Sequence, residues 1–102
     1  MPAVLPFAAI AQALCAYFAD KPVRRVAVFG SYARQQARPD SDLDVLLTPT
    51  RPLGLLTLAG YQCGLEDLLG IRVDLGTEAG VSEWVRPLIT RDLRVVYEKD
   101  EK

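Results

Sequence analysis

The sequence predicts an α/β (α+β) domain in which a mixed β-sheet of about four strands is flanked by helices. Three observations carry this expectation. Segments with apolar residues at helical spacing alternate along the chain with short apolar runs of strand length, in the order α-β-α-β-α-β-α-β. The run from Val23 to Phe29 is almost continuously apolar after its two arginines, the pattern of a strand covered on both faces. Finally, 102 residues, half of them hydrophobic and a quarter charged, suffice for one core and not two, so residues 1–102 are expected to form a single domain.

The elements follow in order. Pro6 suits the first position of a helix, and Phe7, Ile10, Ala11, Leu14, Tyr17 and Phe18 recur at helical spacing, giving a helix over 6–19. Asp20-Lys21-Pro22 ends it, because the residue before proline avoids the helical region. The strand over 23–29 runs straight into Gly30-Ser31, and a short helical stretch follows over 32–37. Arg38-Pro39-Asp40-Ser41 has turn chemistry. In the strand over 42–48, Leu43, Val45 and Leu47 alternate with Asp42, Asp44 and Leu46. A proline-containing loop leads to a helix from Leu55 to Leu69, which Gly70 closes as a C-terminal cap. A strand over 71–75 carries Asp74. After a loop over 76–80, a helix spans 81–91, kinked or broken at Pro87. The last strand covers 93–97, and the charged tail after it frays.

Composition removes several function classes. The net charge is −1 with a pI near 5.3, so a broad basic face for duplex nucleic acid is not expected. There is no histidine, which excludes histidine acid–base catalysis, Ser-His-Asp triads and most zinc sites. Cys15 and Cys63 lie far apart in helix-like segments, with no Cys-x-x-Cys, and are expected as buried, reduced thiols. No basic leader precedes the apolar N-terminal residues, and no apolar run approaches the roughly 18 residues that span a bilayer. A soluble, cytoplasmic protein without a membrane partner is the expectation.

The chemistry concentrates in Gly30-Ser31-Tyr32-Ala33-Arg34 and Pro39-Asp40-Ser41-Asp42-Leu43-Asp44. A strand that ends in Gly-Ser and turns into a helix aims backbone N–H groups at one spot, which favours an anion. Glycine lets a phosphate come close to the backbone, and the Ser31 hydroxyl adds a donor. Asp42 and Asp44, two apart on a strand, project from one face with roughly 6.6 Å between them along the backbone. Unscreened by a partner, they repel by about 2.5 kcal/mol at an effective dielectric of 20. Asp74, on another strand, adds to the repulsion if it lies beside them, and nothing basic in the flanking strand offers an obvious fixed partner. A divalent cation resolves the conflict, and oxygen-only ligands suit Mg²⁺ or Mn²⁺. An anion cradle beside such carboxylates is what metal-dependent nucleotidyl transfer requires, with Asp74 reaching a second metal or accepting the attacking hydroxyl's proton.

The pattern Gly-Ser-x-Ala-Arg followed by Ser-Asp-x-Asp and apolar residues resembles the signature of the DNA-polymerase-β-like nucleotidyltransferase superfamily. Within it, the short chain is similar to the minimal nucleotidyltransferase (MNT) group, the antitoxins paired with HEPN-domain toxins. The likeness runs from Val23 to about Tyr97, with Asp74 where a third carboxylate is expected. The resemblance implies a polymerase-β-like fold, Gly30 and Ser31 at the triphosphate, and Asp42, Asp44 and Asp74 as catalytic metal ligands, and Arg34 is a further candidate contact to the nucleotide's phosphates. It implies AMP transfer from ATP to a tyrosine of a HEPN-type ribonuclease toxin. One departure stands out: the family commonly has glycine after the Ala-Arg pair, where this chain has Gln35 and Gln36. Glycine would permit a left-handed turn there, so the loop and the placement of Arg34 and Arg38 come into question.

Each residue also has an ordinary structural reading. Asp42 fits an Asp-rich solvated turn, but Asp44 stands inside an apolar strand, where an unpaired charge is costly. Asp74 could be an exposed edge charge or could pair with Arg72. Arg34 and Arg38 could simply flank a turn. Tyr32 is expected to pack, and Trp84, Leu88 and Ile89 to join the core or a partner interface. Two other functions fit the same residues: a non-catalytic antitoxin that neutralises its partner by binding, and a small-molecule nucleotidyltransferase of the aminoglycoside-modifying type. A chain this short is expected to carry no lobe that closes over a substrate, and the acceptor's own surface is expected to complete the site.

Overall fold

The computed structural model describes residues 4–78 and 86–99. The described elements follow the expected order: α1 (Phe7–Phe18), β1 (Val23–Phe29), α2 (Gly30–Ala33), β2 (Leu43–Pro49), α3 (Leu55–Leu69), β3 (Val73–Thr77), α4 (Arg86–Asp92) and β4 (Arg94–Glu98). The four strands form one sheet in the order β3-β2-β1-β4. β1 runs antiparallel to both of its neighbours, while β2 and β3 are parallel and joined through α3, so the sheet is mixed as expected.

Strand alternation divides this sheet into a core face and a site face. Val26, Val28, Leu43, Val45, Leu47 and Val73 are buried in one cluster with Ile10, Leu14 and Phe18 of α1 and Leu65 of α3. The intervening positions point the other way, and these include Asp44 and Asp74, which are register partners across β2 and β3. Helix α1 shows three-to-four-residue spacing in its burial, with Ile10, Leu14 and Phe18 fully covered. It meets α3 through aromatic edges, Phe18 lying 5.7 Å from the Tyr61 ring centroid at 86°. Helix α3 ends at Gly70, whose φ of +72° is left-handed and whose N–H reaches the Glu66 carbonyl at 2.8 Å.

Several boundaries shift from expectation. Pro6 is the capping residue before α1 and not its first residue: its extended ψ of 143° turns its carbonyl toward the N–H groups of Ala9 and Ile10. β2 starts at Leu43, leaving Asp42 one residue outside the strand, and β3 starts at Val73 instead of 71. The last strand is Arg94–Glu98, so Glu98 belongs to the sheet and pairs with Arg25 at 2.9 Å. Pro87 lies within the described part of α4. The expected helical residues 81–85, and Trp84 with them, lie outside the described residues, as does the side chain of Leu88.

The short second helix is the most informative shift. It occupies Gly30–Ala33 and not 32–37, so the helical turn begins directly at the end of β1. Arg34 caps it and Gln35 follows at φ +59°. The Gln36 N–H donates to the Ser31 carbonyl at 2.8 Å and the Gln35 N–H to the Tyr32 carbonyl at 3.2 Å. These two bonds and the left-handed residue make a Schellman motif. The turn that glycine usually supplies is therefore formed here by glutamine.

Among the described residues, no helix is long and apolar enough to cross a membrane. Cys15 is partly buried and donates its S–H to the Val96 carbonyl at 3.0 Å, but Cys63 is exposed, against expectation. The departure arises because α3 turns its Leu65 side inward and leaves 63 on the outer side.

Candidate active site

The site forms where the C-terminal end of β1 meets the N-terminal ends of β2 and β3. Gly30, immediately after β1, has φ +74°, a conformation other residues rarely adopt. It also lies against Asp44: a β-carbon added to Gly30 would overlap Asp44 Oδ2. The Gly-Ser step and the central carboxylate are thus in contact, which requires glycine for two separate reasons. The first-turn N–H groups of α2 have no intrahelical acceptor, so they are available beside this carboxylate. With only four residues, α2 has a small dipole, and those local donors matter more than the helix field.

Asp44 is half-buried, and its carboxyl is pushed up to about 6 from an ordinary 3.8. Burial is the largest cause, followed by the charges of Asp74 and Asp42, with Arg34 pulling in the opposite direction. All three predicted carboxylates are therefore near enough to interact. They do not converge fully: among the described residues, no three His, Cys, Asp or Glu side chains close around one point. Asp42 Oδ1 instead pairs with Arg72 Nε at 3.2 Å. This corrects the expectation that no basic residue would serve the pair, and also the alternative pairing of Arg72 with Asp74. The donor set suits a hard divalent cation, because it offers carboxylate oxygens only and carries an excess of negative charge around a half-buried acid.

Arg34 and Arg38 take different roles. Arg34 reaches Asp92 at 3.2 Å and Gln36 Oε1 at 3.3 Å, and its charge still acts on Asp44. The Arg38 backbone N–H donates to Ser41 Oγ at 2.8 Å, which closes the turn before Asp42. Tyr32 is buried, as expected. A signal for Arg72 was present in the sequence. Asp42-x-Asp44 and Arg72-x-Asp74 share one spacing, so once Asp44 and Asp74 pair in register, Arg72 falls beside Asp42.

Comparison with known proteins places the fold. The family model described as nucleotidyltransferase domain matches residues 8–100. The chain belongs to this family. A candidate protein adenylyltransferase of Methanocaldococcus jannaschii is 42% identical over 72 residues, covering 70% of this chain and 74% of the relative. The protein adenylyltransferase MntA of Thermococcus cleftensis is 39% identical over 75 residues, 74% of each protein. A structure of tri-AMPylated Shewanella oneidensis HEPN toxin in complex with MNT antitoxin has a chain that superposes with a TM-score of 0.74 at 15% identity. The match covers 91% of this chain and 73% of that one, and the likeness is one of fold. The nucleotidyltransferase fold thus accounts for the mixed sheet.

Proposed function

We propose that this nucleotidyltransferase transfers AMP from ATP to a tyrosine of a HEPN-type ribonuclease toxin in the cytoplasm and thereby acts as its antitoxin. The observation that carries the reading is Asp44: half-buried, pressed against Gly30, in register with Asp74 and raised to about 6 by its burial first and by its acidic neighbours second. Such an acid is costly to maintain unless it serves a cation or a proton transfer. The protein adenylyltransferase relatives and the AMPylated HEPN toxin found with an MNT antitoxin support the choice of reaction and acceptor.

In this reading, Gly30 and Ser31 receive the triphosphate through backbone N–H groups and the serine hydroxyl. Arg34 adds positive charge on the same side. Asp42, Asp44 and Asp74 are the residues that would hold Mg²⁺ or Mn²⁺. Held there, such a cation would supply charge neutralisation on the leaving pyrophosphate and a lower pKa for the attacking hydroxyl. Asp74 accepts the tyrosine proton as the Oη–Pα bond forms and the Pα–O bond to the β-phosphate breaks, releasing pyrophosphate.

The test is incubation of the chain with its HEPN-type partner, Mg²⁺ and ATP labelled at the α-phosphate. Label on the partner is expected, with at least a hundredfold loss in Asp44→Asn, the scale set by removing a group that stabilises transition-state charge (on the order of 10²–10³). A stable complex that carries no label would point to an antitoxin acting by binding alone. Label on an aminoglycoside-type small molecule, with none on the partner, would assign the chain to small-molecule modification.

A further inference from the structure

We infer that Arg72 is the built-in counter-ion of the cation site, a positioning residue that keeps Asp42 engaged until a divalent cation displaces its guanidinium. The inference rests on the reading of Asp42, Asp44 and Asp74 as cation ligands. Three observations carry it. Arg72 Nε lies 3.2 Å from Asp42 Oδ1, a partner on another segment, while Asp74 stands two residues along its own. Asp42 stands outside β2, so its backbone lacks the strand pairing that holds the backbones of Asp44 and Asp74. And no three acidic side chains converge among the described residues, while one of the three that the site needs is held by this arginine.

The pair is built to break. Its two side chains are 81% and 47% exposed, so water screens it and its net strength is small. A hollow of about 280 Å³ lies beside it, lined by Pro39, Asp40, Ser41, Gly70 and Ile71 together with the pair itself. The displaced guanidinium can enter that space and remain hydrated, so no buried charge is left without a partner. Arg34, whose charge also reaches the site, is already engaged by Asp92 and cannot take over Arg72's role in balancing Asp42 without breaking that pair. Arg72 therefore limits carboxylate repulsion in the metal-free chain, and the same contact makes the cation compete for Asp42.

The test uses the full chain and Mn²⁺ alone, measured by titration calorimetry at low ionic strength, where an exposed pair is least screened. Arg72→Gln is expected to bind Mn²⁺ roughly three- to fivefold more tightly than wild type, the scale of an exposed ion pair. Arg72→Lys, which keeps the charge and loses the Nε donor, should fall between them. In the ¹⁵N spectrum, the Arg72 Nε resonance, identified by its loss in Arg72→Lys, should move on adding Mg²⁺ and saturate as the site fills. Unchanged or weaker Mn²⁺ binding in Arg72→Gln, or an Nε resonance that ignores Mg²⁺, overturns the inference while leaving the cation site standing. A wild-type chain that binds neither ion removes both this inference and the catalytic reading beneath it.

Discussion

Asp44 couples the chemistry of the site to the stability of the chain. Its carboxyl is raised to about 6 because it is half-buried and faces Asp74 and Asp42. The folded chain therefore holds this proton more tightly than the unfolded chain, whose aspartates titrate near 3.8. The resulting penalty on folding is absent below about pH 4, grows as the proton leaves, and is complete above about pH 6. The full shift would correspond to about 3 kcal/mol, but solvent reaches half of the group, so about 1–2 kcal/mol is the expected size. Asp44→Asn should thus melt roughly 5–10 °C above wild type at pH 7.5 without metal. The gain should shrink to nothing near pH 4. Thermal melts by circular dichroism across that range provide the measurement, and equal melting temperatures at pH 7.5 would show that the acid is not under strain. The residue expected to stabilise the chain when neutralised is thus the one whose loss is expected to cost transfer, a pattern found where local stability is given up for function.

At the scale of elements, the Schellman turn after α2 decides where the chain goes next. Gln35 holds the left-handed position with φ +59°, a conformation that costs a non-glycine residue about 1–2 kcal/mol. Glycine would remove that cost but lose about 0.5–1 kcal/mol in unfolded-state entropy. Gln35→Gly is therefore expected to stabilise the chain by about 0.5–1 kcal/mol, read as a rise of several degrees in melting temperature. A fall would mean that the Gln35 side chain makes up for its strained backbone. This turn also shows how far the sequence could be followed. The order of elements, the span of α3 and its Gly70 cap were legible because periodicity and capping are local properties. The bounds of α2 were not, because a four-residue helix has no period to detect and its end depends on two backbone bonds from Gln35 and Gln36. Asp44 beside Gly30 was foreshadowed by the motif. The Asp42–Arg72 pair required the register of β2 on β3, which no single segment encodes.

For the whole molecule, one sheet separates folding from chemistry by its two faces. Val26, Val28, Val45 and Leu47 face α1 and α3 with no solvent exposure, while Asp44 occupies the opposite side of β2. Substitutions on the two faces should therefore have opposite effects. Val26→Ala removes about 1.6 kcal/mol of buried hydrocarbon and adds a cavity cost, for a loss of about 2–3 kcal/mol. Total stability for a chain of this size is on the order of 5–15 kcal/mol, so the variant remains folded at 20 °C but melts well below wild type. Val26 sits mid-strand, paired with Leu47 and Tyr97, and the Arg25–Glu98 bridge at 2.9 Å helps hold β1 to β4 beside it. The position of Gly30 should survive the loss. AMP transfer by Val26→Ala at 20 °C is accordingly expected within about twofold of wild type per folded molecule, whereas Asp44→Asn combines a higher melting temperature with no transfer. Label incorporation measured alongside melting for both variants tests this separation. A large loss of transfer in Val26→Ala at a temperature where it is fully folded would mean that the core face sets the site geometry directly, and that the two faces act as one unit.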